Sequence, residues 1–219
     1  MAADLVVCAA TELESSALQG SLPCGVSLLV TGVGAVNAAC ALTRFLEREG
    51  ARAVVVCGIG GAYPVPELSV GSELSLGSVV WAESECYGDL GAASPQGFLD
   101  MQAMGFPVIG GEAPVYNVFP VELRPAGRKW VRFVTVNTCT GDDVTARALA
   151  TRTGGAVENM EGAAIAHVAR LYGIPCGEVR GISNPVGNRE RGAWRVREAA
   201  LAAQEELVAV LASGDLRQR

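Results

Sequence analysis

Three short segments put side chains capable of chemistry at the ends of apolar runs. The first is Thr11-Glu12-Leu13-Glu14, directly after the run at 5–9. Thr-x-x-Glu is the pattern of a capping box, in which both side chains satisfy free amides at the start of a helix over 12–19. A carboxylate leaving a strand can equally face a cleft and take a proton from water. The pattern alone leaves both readings open for Glu14, and Glu12 is a reserve candidate two residues away. The second segment, Val157-Glu158-Asn159-Met160-Glu161-Gly162, flanks a methionine with two carboxylates at the start of an otherwise apolar helical pattern. Its ordinary role is electrostatic, since acids in a first turn stabilise a helix by ~0.3–1 kcal/mol. The third, Arg180-Gly181-Ile182-Ser183-Asn184-Pro185, places an amide at a strand exit, where a ligand or an Asx-turn can use it.

Two glycine-rich turns accompany these segments. Thr31-Gly32-Val33-Gly34-Ala35-Val36-Asn37 has the outline of a dinucleotide fingerprint, but Asn37 stands at the third glycine. The following strand ends in Val56-Cys57 without the acid that would hold a ribose, so a nicotinamide enzyme is a weak rival. Cys57-Gly58-Ile59-Gly60-Gly61-Ala62 is the second turn, whose backbone amides can approach a flat base closely. The single histidine, His167, sits in a small apolar helical pattern and reads as a packed or partly exposed helix residue. With no second histidine and no C-x-x-C pair, neither a metal nor another cofactor is expected.

The elements that position these segments follow from periodicity. Apolar β-rich runs lie at 5–9, 26–31, 53–57, 78–82, 131–136 and 177–182, and helical patterns at 35–49, 158–172 and 198–212. Their alternation predicts a layered α/β fold. The stretch 64–125, rich in Gly and Pro, is expected to supply surface loops and extra strands over a binding cleft. The 219 residues suit one domain spanning the chain. Half of them are apolar but only 5% aromatic, so Ala, Val and Leu must build the core. A net charge of -6 argues against a nucleic-acid partner, because affinity for a phosphate backbone comes largely from Lys and Arg. The seven cysteines read as reduced, packed thiols. The uncharged stretch 15–43 is broken by glycines, Pro23, Gln19 and Asn37, so no membrane span is expected. The N-terminus lacks a basic leader, and a cytoplasmic protein is predicted.

Taken together, the first strand with Thr11–Glu14, Thr31-Gly-Val-Gly, Gly58-Ile-Gly-Gly, and the run from Val157-Glu-Asn-Met-Glu-Gly to Gly181-Ile-Ser-Asn resemble the nucleosidase branch of the purine nucleoside phosphorylase superfamily, in order and spacing. Glu85-Cys-Tyr-Gly-Asp-Leu-Gly91 and Ser183-Asn184 add a closer likeness to the members that act on 6-oxopurine nucleosides. The resemblance implies a three-layer α/β/α domain with a central mixed β-sheet and a homo-oligomer of at least two chains. It implies a small-molecule nucleoside and water as partners, and cleavage of an N-glycosidic bond.

By the same resemblance Glu14 activates water, Met160 and Glu161 bind the ribose, and Asn184 manages the leaving purine. Gly60, Glu158, Asn159 and Ser183 complete the expected binding set. Relatives that cleave adenosine-type nucleosides carry Asp at the position of Asn184. An amide there can donate N–H to O6 of hypoxanthine and accept from protonated N7. A phosphorylase would need clustered cations near the sugar, whereas the loop after the first strand is acidic. A non-catalytic nucleoside-binding protein would have no use for Glu14. The residues Phe98, Leu99, Met101, Met104 and Phe106 suit either an apolar cover for the 5′ end of the substrate or ordinary packing and a subunit interface.

Overall fold

A computed structural model describes residues 2–64, 74–189 and 191–218. Strand β1 (Leu5–Ala9) is buried at every position, as its unbroken apolar run requires. It pairs in parallel with β2 (Val26–Val30) and β3 (Val54–Ala62), which α1 (Ala35–Arg48) connects. Next come β4 (Val79–Tyr87), the hairpin of β5 (Gly91–Ser94) and β6 (Gly97–Asp100), and the single turn α2 (Met101–Met104). Short strands β7 (Val118–Pro120) and β8 (Leu123–Pro125) precede β9 (Trp130–Thr135) and α3 (Asp143–Thr153). The chain ends with β10 (Val157–Asn159), α4 (Gly162–Tyr172), β11 (Cys176–Pro185), α5 (Val196–Ser213) and β12 (Leu216–Gln218).

Apart from the β5–β6 hairpin, the strands form one mixed sheet ordered β12-β8-β11-β4-β9-β10-β3-β1-β2, with β7 added on β4. Because β11 also pairs with β3, the strands β3, β11, β4, β9 and β10 close a hydrogen-bonded circuit. The alternation of side chains along β1 and β3 sorts the core into layers. Val6, Cys8, Val54 and Val56 pack with residues of α1 and α4, while Leu5, Val7, Val55 and Cys57 pack with Ala203, Leu207 and Val210 of α5. Helices therefore cover both faces of a mixed sheet, as expected. Among the described residues no helix is long and apolar enough to cross a membrane.

Several boundaries differ from the sequence expectations. The helical pattern at 158–172 begins late, because Val157, Glu158 and Asn159 pair with Phe133, Val134 and Thr135 of β9. Asn159 then accepts hydrogen bonds from the amides of Glu161 and Gly162, so it takes the capping role expected of an acid. The stretch 12–19 is a series of turns rather than a regular helix. Helix α3 was not expected at all, although Asp142 accepts a hydrogen bond from the Thr145 amide at its start and Gly154 ends it with φ of 64°. Its apolar face is weak, and a capping residue alone is a poor signal.

Candidate active site

A cavity of about 300 Å³ opens where the C-terminal ends of β1, β3 and β10 meet the far end of β11. Strand β3 makes this opening possible. It runs beside β1 only through Val54–Val56 and reaches β10 through Gly61 and Ala62. Gly60 must lack a side chain, because a β-carbon there would lie 2.5 Å from Val157 Cγ1 and 3.0 Å from the Glu158 carbonyl oxygen. Glu14, Gly60, Glu158, Asn159, Met160, Glu161, Ser183 and Asn184 all line the cavity. Glu12 is exposed and does not line it. Of the stretch 64–125, none of the described residues lines the cavity, so Phe98, Leu99, Met101, Met104 and Phe106 do not cover it within this chain. Residues 65–73 lie outside the described residues.

Glu14 keeps only half of the capping-box reading, since no regular helix starts here and its carboxylate bonds no amide of this turn. Its own amide approaches Thr11 Oγ1 at 3.4 Å, the one capping contact present, while Thr11 Oγ1 donates to its Oε2 at 2.8 Å. Its Oε1, however, turns to the cavity floor and accepts from the Ile59 amide at 3.0 Å. The side chain is thus buried yet faces the pocket, the placement a general base needs.

Glu161 lines the pocket at the junction of β10 and α4. Its Oε1 accepts from the Gly34 amide at 3.0 Å, so the turn that only outlined a dinucleotide fingerprint instead fastens a carboxylate. Glu158 is spent internally: it accepts from Tyr63 Oη at 2.8 Å and from the Thr140 amide at 3.0 Å, fixing the loop that carries Cys139. The Cys139 thiol in turn contacts Met160 Sδ at 3.3 Å. Ser183 Oγ donates to Asn184 Oδ1 at 2.8 Å and is within 3.2 Å of the Gly60 carbonyl oxygen. Asn184 Nδ2 donates to the Pro185 carbonyl at 2.9 Å, which leaves one amide hydrogen and one lone pair for a ligand.

Sequence reasoning assigned no role to Arg180, which is 2% exposed and lines the pocket. Its Nε is 2.8 Å from Glu178 Oε1, one terminal nitrogen is 3.4 Å from Glu161 Oε2, and the other is 3.9 Å from Glu14 Oε1 and donates to the Ile59 carbonyl at 3.0 Å. Burial works to lower its pKa, but Glu178, Glu161 and Glu14 outweigh that and hold the guanidinium above its ordinary value. An arginine in the middle of a buried strand was the available signal, because such a charge persists only among partners. The site accordingly gathers more carboxylates than cations, an arrangement that favours a positively charged transition state and disfavours an anionic nucleophile. Among the described residues no group of three or more potential metal ligands occurs.

The family model described as the phosphorylase superfamily matches residues 10–213, and the chain belongs to that superfamily. Within it the chain falls among the futalosine hydrolases. It is 35% identical to the futalosine hydrolase of Thermus thermophilus over 81% of this chain and 77% of that protein. It is 38% identical to that of Streptomyces coelicolor over 87% of this chain and 80% of that protein. The fold also matches a solved 5′-methylthioadenosine/S-adenosylhomocysteine nucleosidase from Colwellia psychrerythraea in complex with adenine. That match has a TM-score of 0.77 at 18% identity and covers 100% of this chain and 98% of that one.

Proposed function

We propose that this protein hydrolyses the N-glycosidic bond of futalosine, releasing hypoxanthine and dehypoxanthine futalosine. The observation that carries the reading is Glu14, buried with one oxygen on the Ile59 amide and lining one cavity together with Glu161 and Asn184. In this reading Glu14 takes a proton from a water that attacks C1′. Glu161 accepts hydrogen bonds from the ribose hydroxyls, which strengthen as the sugar becomes oxocarbenium-like. Met160 packs against the ribose, and the surrounding carboxylates stabilise the developing positive charge. Asn184, braced by Ser183, donates its free N–H to O6 and accepts from protonated N7 as the base departs. Gly60 admits the base close to the β3 backbone, while Glu158 and Asn159 hold the walls. Leu13, Val33, Trp194 and Val196 give the pocket apolar surface for the bulky 5′ substituent.

The reading extends to a single domain working in the cytoplasm as a homo-oligomer, without cofactor, in a route to menaquinone. The deciding experiment mixes the purified protein with futalosine, inosine and methylthioadenosine in phosphate-free buffer and follows free base by chromatography. Release of hypoxanthine from futalosine is the expected result. A requirement for phosphate would make the protein a phosphorylase, and preferential release of adenine from methylthioadenosine would make it a nucleosidase of the other kind. Sedimentation of the same sample tests the oligomer.

A further inference from the structure

Glu85 and Glu178 do not line the pocket, yet both are buried completely behind it. Glu85 lies on β4 and Glu178 on β11, and they meet beneath the first residue of α4. A β-carbon on Gly162 would overlap both carboxyl groups. Two carboxylates at one dry site cannot both stay ionised without a large penalty, so one takes up a proton. The surroundings decide which. Glu178 Oε1 holds Arg180 Nε at 2.8 Å, whereas Glu85 is met by neutral donors, Asn159 Nδ2 at 2.5 Å and Thr135 Oγ1 at 3.0 Å.

Glu178 Oε2, in turn, is buried without a hydrogen-bond partner among the described residues. A proton carried by Glu85 supplies the donor that this oxygen lacks. Burial first, and the charge of Glu178 second, push the pKa of Glu85 well above the usual carboxylate value. The remaining ionisable neighbours are Arg180 and Glu161 toward the pocket, and the Cys86 thiol, the Cys176 thiol and the Tyr87 phenol behind it. Burial raises the pKa of all three of the latter, that of Cys86 to about 12, so they stay neutral.

We propose that Glu85 and Glu178 share one proton and act as a positioning pair for the active site. The single negative charge, resting on Glu178, anchors Arg180 from behind, so that its terminal nitrogens reach Ile59, Glu161 and Glu14 without collapsing onto either pocket carboxylate. The neutral Glu85 orients Asn159, whose Oδ1 holds the amides of Glu161 and Gly162. Neither residue touches the substrate; both act through Arg180 and Asn159 on the groups that do. If Glu178 were neutral, Arg180 would keep only Glu14 and Glu161 as counter-charges. It would be drawn toward them and would weaken the negative field offered to water and sugar. The consequence falls on turnover rather than on substrate binding.

The kinetic part of the test rests on the hydrolase reading, and the spectroscopic part does not. Infrared spectra of the wild-type protein at neutral pH are expected to show the carbonyl stretch of a protonated carboxyl. The band should disappear in Glu85→Gln. In Glu178→Gln burial still keeps Glu85 neutral but its carboxylate acceptor is gone, so the band should shift in frequency rather than vanish, and the assignment survives if one variant fails to fold. It should persist in Glu14→Gln. Absence of the band from wild type, its persistence in Glu85→Gln, or an unshifted band in Glu178→Gln overturns the shared proton. With futalosine, Glu178→Gln should lower kcat about 100-fold while KM moves less than about threefold, the split of a group that acts only at the transition state. An unchanged kcat in folded Glu178→Gln overturns the positioning role. If wild type releases no hypoxanthine, the hydrolase reading fails while the infrared result still judges the proton.

Discussion

Glu14 and Glu12 are separated by a single residue but have opposite fates: one is clamped between Thr11 and the Ile59 amide, the other is exposed. Glu14→Gln is therefore expected to lower futalosine hydrolysis by ~10²–10⁴, the usual weight of a general base, with nucleoside binding largely kept. Glu12→Gln should stay near wild type, and the reverse pattern in steady-state kinetics would reject the assignment. Asn184→Asp exchanges a donor to O6 for an acceptor from a 6-amino group, and each buried polar group left unpaired costs about 1–3 kcal/mol. The ratio of kcat/KM for futalosine to that for its 6-amino counterpart should fall by tenfold or more. Taking the ratio cancels any general damage, and an unchanged ratio would show that Asn184 does not read the base. Glu14, Glu161 and Asn184 could be singled out in the sequence because each belongs to a compact local motif that carries the family likeness, and the structure brings all three to one cavity. The Glu85 and Glu178 pair was not, since only the strand order β11-β4 brings residues so distant in sequence together.

Strand β11 carries Glu178, Arg180, Ser183 and Asn184, and its seating depends on helix α5. A β-carbon on Gly181 would collide with the Ala199 backbone, so helix and strand touch without a side chain between them. Gly181→Ala is expected to destabilise the protein by about 1–3 kcal/mol, the range for overpacking, and to depress turnover because Asn184 moves with the strand. Thermal denaturation alongside kinetics checks this, and a variant with wild-type melting would mean that α5 has room to shift. Elements β1, α1 and α5 were legible because their apolar runs or stripes are long and regular. The strand β10 and helix α3 were not. β10 is three residues long and merges with the helical pattern that follows, while α3 buries only Ala146, Leu149 and Ala150. Residues 98–106 remained ambiguous for a physical reason: Leu99 and Phe106 are 43% and 64% exposed here, which apolar content alone cannot foretell.

The dependence of overall stability on pH should have two limbs of opposite slope. Burial lowers the pKa of His167, which contacts Tyr87 Oη at 3.2 Å and stacks on Phe119. Its contribution is complete above the ordinary value of 6.5 and is lost as pH falls through its depressed folded value. Glu85 behaves in the opposite sense. Its raised folded pKa gives stability that is complete below the ordinary value of 4.5 and declines as pH rises toward the folded one. Melting temperatures across pH should show both limbs, with Glu85→Gln flattening the alkaline side and His167→Asn the acid side; parallel curves for either variant would contradict its assignment.

The closed circuit of β3, β11, β4, β9 and β10 also bears on how the protein comes to be folded. Its β10–β3 seam consists of two residue pairs, Val157 with Ala62 and Glu158 with Gly61. These residues are far apart in the chain, and ordering the intervening segment carries an entropic cost that only long-range contacts repay. The β11–β3 pairing joins residues farther apart still, and Gly61, Glu158 and Asn184, which sit at these two joins, line the pocket. During refolding, recovery of activity should therefore lag behind recovery of secondary structure, because these long-range joins are also walls of the cavity.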